Sequence, residues 1–334
     1  MLHDPILQAA PVTAAQPAPR FSVILPVYNR AHCIGDALTS VLEQTTPAAE
    51  VIVVDDGSQD DLATALAPFD RHIRLVRQPN AGVAAARNTG AALARTEWLA
   101  FQDSDDLWTC DHLATASRDL ACAPAATVAH LGDVTYTGAG YDERLFTIKR
   151  CTFHADHAEQ VTDPLPLVIS GMTLQGAAIR RDVFDRLGGF DESMRMLSDT
   201  AFFCQLALQG PFAVTGRPLA EIRRLPGDED AITSLHRKNA VYARRMHVRG
   251  LAALVEQPLT PTQHRLAHQR LAGAEFRLAQ ALYPGNPRAA RSLLWQAARH
   301  HPDRLKGWIK SAIAAIMGVP GYRWLLSDTS LDRS

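Results

Sequence analysis

The chain is 334 residues long, 47% hydrophobic and 21% charged, which is enough apolar content for one large domain or two modest ones. Its 34 Lys and Arg residues against 35 Asp and Glu give a formal net charge of -1, which excludes bulk attraction to nucleic-acid phosphate. The five cysteines, Cys33, Cys110, Cys122, Cys151 and Cys204, are scattered without a CxxC pair. They read as small buried hydrophobes in a reducing cytoplasm rather than a zinc cage or disulfide framework.

In chain order, residues 1–20 are rich in Ala and Pro and lack the charged start and apolar run of a signal peptide, so they read as a flexible lead-in. Phe21 to Pro26 is a short apolar run that stops at a proline and predicts a strand. Arg30 to Gln44 carries Ile34, Ala37, Leu38, Val41 and Leu42 at helical spacing. Glu50 to Val54 predicts a second strand and Gln59 to Phe69 a helix. A third strand covers Ile73 to Arg77 and an Ala-rich helix Val83 to Arg95, with a fourth strand at Glu97 to Gln102. Beyond it the pattern weakens between Ala129 and Gly176. Helix is predicted for Ile179 to Leu187 and for Ser198 to Leu208, and again from Thr233 to the end with breaks near 257–262 and 284–287.

Alternating strands and helices with continuously apolar strands predict an α/β fold, a mostly parallel sheet with helices on both faces. In such sheets ligands bind beyond the carboxyl ends of the strands. Three predicted strand ends carry polar sequences, Pro26-Val27-Tyr28-Asn29, Asp55-Asp56-Gly57-Ser58 and Asp103-Ser104-Asp105-Asp106.

Those three stretches, with NAGVAAARNTG at 80–90, FQDSDDLW at 101–108, GGFDE at 188–192 and the acidic helix start at Asp199, resemble the family-2 glycosyltransferases. The resemblance runs in order over roughly residues 20 to 225 and implies the Rossmann-like GT-A fold. The expected organisation is a flexible segment 1–20, a GT-A domain 21–232 and a C-terminal helical extension 233–334.

Asp103 and Asp105, one residue apart at a strand end, suit a hard divalent cation such as Mn²⁺ or Mg²⁺ that bridges them to a donor diphosphate. The resemblance makes Asp105 the more direct metal contact and turns Asp103 toward the ribose or a metal-bound water, with Ser104 between them. Asp106 is read as an outer partner or as a cap of a helix starting near Leu107. A carboxylate accepts a hydrogen bond from the imide N–H of uracil or thymine. The resemblance gives this role to Asp56, beside a turn at Gly57; the alternative is a plain turn. Pro26, Val27, Tyr28 and Asn29 are expected to line the same pocket, with Tyr28 stacked on the base. Asn80 and Arg87 are expected near the base or diphosphate, the alternative for Arg87 being an exposed helix arginine or an ion pair with Asp56. Asp199 stands where the family carries its catalytic base, which an inverting transfer needs to take the acceptor proton; this chain has Ser198-Asp199 where relatives usually show Glu-Asp. Asp191 is expected to support the acceptor loop. His236, Arg223 and Arg224 are weaker candidates for phosphate contact.

The absence of a QxxRW motif favours addition of one or a few sugars. The implied partners are a nucleotide-sugar donor, UDP-linked by preference, and a glycan or lipid-linked acceptor of the cell surface, with no nucleic acid. The segment 304–326 mixes Arg304, Lys306, Lys310 and Arg323 with Trp308, Tyr322 and Trp324. It reads either as an interfacial helix on the inner face of the cell membrane or as a helix packed on protein. A nucleotidyltransferase is disfavoured because PVYNRAHCIG is not its Gly-rich basic loop, and a dehydrogenase because no GxGxxG follows the first strand. A non-catalytic nucleotide-sugar-binding protein would be expected to lack Asp105 or Asp199, and both are present.

Overall fold

The computed structural model describes residues 18–138, 140–224 and 239–300. The lead-in up to residue 17, His236 and the segment 304–326 lie outside the described residues. Strand β1 (Phe21–Val27) is buried along its whole length, as a central strand covered on both faces must be. It pairs in parallel with β2 (Glu50–Asp55) on one side and β4 (Trp98–Phe101) on the other. β3 (Arg74–Arg77) closes this half as an edge strand whose two exposed arginines discourage further pairing. The run expected to stop at Pro26 continues one residue further. Pairing with β4 has already ended at Ile24, so the missing proline N–H removes no ladder bond there.

The helices of this half are α1 (Ile34–Leu42), α2 (Leu62–Leu66) and α3 (Val83–Leu93). α1 buries Ile34, Ala37, Leu38 and Val41 on one stripe. α3 is Ala-rich because it packs directly on β1 and β2.

The second half is assembled from β5 (Leu107–Trp108), α4 (His112–Ala121), β6 (Ala129–Gly138), β7 (Tyr141–Arg144), α5 (Leu145–Ile148), β8 (Glu159–Val161), α6 (Leu165–Val168), β9 (Ala177–Arg180), α7 (Arg181–Leu187), α8 (Ser198–Leu206) and β10 (Phe212–Arg223). The sheet order is β3-β2-β1-β4-β9-β6-β10-β5, with β7 paired to β6 and β8 to β10. β9 runs antiparallel to both neighbours, so β6 and β10 point the same way as β1, β2 and β4. Residues 177–180 therefore form a strand, not the start of the helix expected over 179–187. Buried on all but its last residue and flanked by two strands, this segment gains a ladder on both sides that helix propensity does not offset.

Three helices follow, α9 (Ala240–Val255), α10 (Pro261–Leu282) and α11 (Pro287–His300). The start of α10 is fixed by Thr260, whose hydroxyl and Gln263 form a reciprocal capping box. The core is continuous from the sheet into Leu251, Leu254 and Leu271 of α9 and α10, and α9 packs on α8. Among the described residues no helix is long and apolar enough to cross a membrane. All five cysteines are free; Cys33 and Cys204 are buried as expected, while Cys110 and Cys122 are exposed at chain turns.

Candidate active site

The topology gathers the site. β1, β2, β4, β6 and β10 all end at one edge, and the reversed β9 begins there. That edge therefore receives Tyr28, Asp56, the Asp103–Asp106 turn and Arg223, and also Gln175, just before β9.

The acidic turn after β4 is held from two sides. Arg87 of α3 donates from Nη2 to Asp103 Oδ1 at 2.5 Å, and Gln175 Nε2 donates to Asp103 Oδ2 at 2.6 Å. The Arg87 guanidinium is buried; burial works to lower its pKa, but Asp103 and Asp199 outweigh it and hold the value above the ordinary one. Its Nε has no partner, and its Cζ lies 5.9 Å from the centre of the Phe190 ring. Arg87 thus pairs with Asp103 and not with Asp56, and it brings α3, the acidic turn and α8 into one electrostatic unit.

Asp199 sits in the first turn of α8, which Leu197 enters in the left-handed conformation at φ 60°. A non-glycine residue in that region is sparsely populated, of order 1–3 kcal/mol above the favoured wells, and such residues cluster at functional sites. Asn29, after β1, is a second case at φ 52°. Burial pushes the Asp199 carboxyl up, opposed by Arg87 and by the Thr200 N–H that donates to Oδ1 at 2.7 Å. A carboxylate held above its usual range is a stronger base.

Asp106 is buried, and its Oδ1 accepts the Arg223 N–H at 3.0 Å. Arg223 also donates from Nε to the Asp105 carbonyl at 2.7 Å and from Nη1 to Asp36 at 3.0 Å. Burial, and then the charges of Asp105 and Asp103, drive the Asp106 carboxyl well above the carboxylate range. Asp106 caps no helix from Leu107, because 107–108 is a strand paired with β10 and α4 begins at His112.

Three carboxylates stand within four residues, and Asp106, raised first by burial and then by Asp105 and Asp103, marks a crowding of negative charge that a hard cation would relieve. Among the described residues no three His, Cys, Asp or Glu side chains converge as a closed metal cage. The donor set instead fits an ion held by one or two carboxylates and completed by substrate phosphate and water.

The Asp55–Ser58 turn is braced internally. Asp55 accepts the Ser58 N–H at 2.7 Å and faces Arg77 at 3.3 Å. Asp56 takes Gln78 Nε2 at 2.8 Å and the Ala81 N–H at 2.9 Å on Oδ1, and the Gly82 N–H at 2.8 Å on Oδ2. Three of its roughly four acceptor positions are filled, leaving one on Oδ2. Gly57 turns at φ +81°, where an added Cβ would meet the Asn80 nitrogen at 3.0 Å. Pro26 and Val27 are buried, and the Val27 carbonyl receives the Asp56 N–H at 2.9 Å. Asn29 accepts the Gln59 N–H at 2.8 Å. Tyr28, 41% exposed, and the exposed Asn80 are the members of this group that reach the surface. Ser104 is buried, and its carbonyl contacts Cys33 Sγ.

The GGFDE loop is clamped to α3 by Asn88, whose Nδ2 donates to the Phe190 carbonyl and to Glu192, while Oδ1 accepts the Phe190 N–H, each at 2.9 Å. Phe190 packs edge-on to Phe101 and Phe184. Asp191 pairs with Arg249 of α9 at 2.8 Å, a bracing contact.

Sequence reasoning missed Gln175, Gln78 and Asn88. Gln175 stands before a run of small apolar residues, but only the reversed direction of β9 puts it at the site edge. Arg223, a weak candidate from sequence, packs directly on the acidic turn, and Arg224 stacks its guanidinium 5.4 Å from the Tyr136 ring centre.

A fold match accompanies this geometry. The chain is similar to Staphylococcus aureus TarS 1-349 in complex with UDP, with a TM-score of 0.66 and 19% identity over 91% of this chain and 89% of that one. It also matches mannosyltransferase PcManGT from Pyrobaculum calidifontis in complex with GDP-Man and Mn²⁺, with a TM-score of 0.56 and 22% identity over 93% and 84%. These likenesses establish a shared GT-A fold. In sequence, the uncharacterized glycosyltransferase RC0461 of Rickettsia conorii is 44% identical over 96 residues, 28% of this chain and 16% of that protein. Succinoglycan biosynthesis protein ExoW of Rhizobium meliloti is 31% identical over 206 residues, 57% of this chain and 64% of ExoW. The matches therefore span less than two thirds of either relative. The model of Glycosyl transferase family 2 matches residues 22–188, half of the chain, and covers β1 through α7 with the three polar strand ends; the chain belongs to glycosyl transferase family 2.

Proposed function

We propose that the chain is an inverting glycosyltransferase that moves a sugar from a nucleoside-diphosphate sugar, UDP-linked by preference, to a hydroxyl of a glycan or lipid-linked acceptor. The observation that carries this reading is the convergence of Arg87, Asp103 and Asp199 at the edge where β1, β2 and β4 end. In this reading Asp105 and Asp103 hold Mn²⁺ or Mg²⁺, which supplies Lewis-acid stabilisation of the departing diphosphate. Tyr28 stacks on the base, and the remaining acceptor position of Asp56 takes the imide N–H. Arg87 keeps Asp103 ionised and oriented, and Asp199 removes the proton of the acceptor hydroxyl as its oxygen attacks the sugar C1. Arg223 anchors the acidic turn to β10.

The UDP preference draws support from the UDP complex of the TarS neighbour, and the cation from the Mn²⁺ in the PcManGT complex. A role in cell-surface polysaccharide synthesis is supported by the name of ExoW. The same reading assigns residues 21–232 to the catalytic unit and 233–334 to a helical extension, and places the protein in the cytoplasm, on or near the inner face of the membrane.

The test is release of nucleoside diphosphate from UDP-, dTDP- and GDP-sugars with a panel of glycan and polyprenyl-linked acceptors, with Mn²⁺ and with EDTA. Metal-dependent, acceptor-stimulated release from one donor class is the expected result. Tight nucleotide binding without release or transfer on any donor would move the chain to a non-catalytic nucleotide-sugar-binding role.

A further inference from the structure

Charge is divided unevenly along this nearly neutral chain. Residues 1–239 carry 20 Lys and Arg against 30 Asp and Glu, whereas residues 240–334 carry 14 against 5. The basic excess therefore belongs to the helical region. Both α9 and α11 contain three arginines and no acidic residue, and in α11 all three are exposed.

α11 has two faces of opposite character. Ala290, Leu294, Ala297 and Ala298 are buried, and Ala290 and Leu294 pack with Ala279 and Tyr283 at the end of α10. Arg288, Arg291, Ser292, Trp295, Gln296 and Arg299 are exposed. Positions 288, 291, 295 and 299 recur at helical spacing and so form one stripe along the free face. The rotation that presents this stripe is set by the buried seam and by His300, whose Nδ1 meets the buried Glu275 of α10 at 2.8 Å. Trp295, in the middle, is 42% exposed.

An exposed tryptophan flanked one helical turn away by arginines on either side is poorly placed for water alone. Its ring is amphipathic and favours the boundary between headgroups and acyl chains, while arginine stems reach along such a surface and leave the guanidinium among phosphates. An anionic polymer would satisfy the arginines but gives the tryptophan no apolar layer. We infer that the free face of α11 is an electrostatic docking surface for an anionic phospholipid bilayer, with Arg288, Arg291 and Arg299 on the headgroup phosphates and Trp295 at the interface. The residues that follow in the chain carry Lys306, Trp308 and Lys310, so the same chemistry continues in sequence. The surface is coupled to the catalytic edge through α9, which packs on α8 and pairs Arg249 with Asp191. The docking itself does not rest on the catalytic reading.

The experiment is co-sedimentation of the full chain with vesicles of phosphatidylcholine alone and of phosphatidylcholine with phosphatidylglycerol. It compares the native chain with the triple variant Arg288→Gln, Arg291→Gln, Arg299→Gln, with Trp295→Ser, and with a charge-matched control, Arg71→Gln, Arg74→Gln, Arg95→Gln. Circular dichroism establishes folding of each. The native chain and the control are expected to bind the anionic vesicles and to be released by salt. Loss of three interfacial charges lowers partitioning roughly a hundredfold, and Trp295→Ser lowers it severalfold at high salt, where the apolar anchor dominates. Asp105→Ala binds vesicles like the native chain, which keeps the result separate from the fate of the transferase reading. Equal binding by the triple variant, equal binding to neutral vesicles, or capture by soluble polyglutamate with none by vesicles would each overturn the assignment.

Discussion

Arg87 Nη2 and Asp103 Oδ1 lie 2.5 Å apart, joining α3 to the turn after β4, and Gln175 closes on the other oxygen of the same carboxylate. Removing Arg87 leaves Asp103, beside Asp105 and Asp106, without its own guanidinium partner. Arg87→Ala is expected to cost about 3 kcal/mol of stability, because breaking one side of a largely buried pair strands the other charge. The double variant Arg87→Ala, Asp103→Ala should lose less than the sum of the two single changes. Urea unfolding of the four proteins measures that coupling.

Asp199 is predicted to act in the chemical step and not in donor binding. Asp199→Asn should lower kcat by about 10²–10⁴-fold while leaving nucleoside diphosphate affinity within about twofold. Burial raises its pKa above 3.8. A base works only when ionised, so the rate falls as pH drops through that raised value. The acid limb of the kcat profile should lie above the ordinary carboxylate range in the native enzyme and disappear from the residual rate of the Asn variant.

Gly189 turns at φ +73°, and a Cβ there would meet Asn88 Oδ1 at 2.5 Å. Gly189→Ala therefore strains the backbone and pushes away the side chain that clamps Phe190. A loss of about 1–3 kcal/mol is expected, with faster proteolysis within 188–196. Asn88→Ala should reproduce the proteolysis without the backbone strain.

His112 is buried and stacked on Trp108 with ring centres 4.0 Å apart, its Nδ1 against the Leu219 carbonyl at 3.0 Å. Burial pulls its pKa down from 6.5 to about 3. Between those values the unfolded chain binds a proton that the folded chain refuses, so stability is present in full above pH 6.5 and is lost as pH falls toward 3. This one group accounts for as much as about 5 kcal/mol over the window. His112→Phe keeps the stack but removes the titration. It should start slightly less stable at neutral pH, because the Leu219 carbonyl loses one of its donors and keeps the Thr109 N–H, and then lose less on acidification.

What was legible in the sequence and what was not divide along a physical line. Polar residues ending apolar strands are visible as composition, so the turns at 55–58 and 103–106 could be placed at strand ends, and the family resemblance then singled out Asp56, Asp103 and Asp105 within them. A helix start with an acidic first turn is local, so Asp199 could be placed at the head of α8. Strand direction is not local. The segment 177–180 offers four small or mixed residues whose periodicity does not separate strand from helix, and its reversed run depends on β4 and β6 lying on either side. Gln175 became a partner of Asp103 only through that reversal. Arg223 likewise reaches the acidic turn because β10 is parallel to β6 with two register shifts, a feature of sheet packing and not of its own neighbours. The partner of Arg87 was not legible for the same reason: two acidic turns lie near α3, and the choice of Asp103 is made by tertiary distance.

The central claim is that the acidic turn after β4 binds a nucleoside diphosphate through a divalent cation. Isothermal titration of UDP, with dTDP and GDP for comparison, into the native chain and Asp105→Ala, each with Mn²⁺ and with EDTA, tests it most directly. The native chain is expected to bind UDP in a Mn²⁺-dependent way, with binding weakened at least tenfold by EDTA and by Asp105→Ala. UDP binding of equal strength with and without metal, unchanged in Asp105→Ala, would contradict it, as would the absence of binding by any of the three nucleotides.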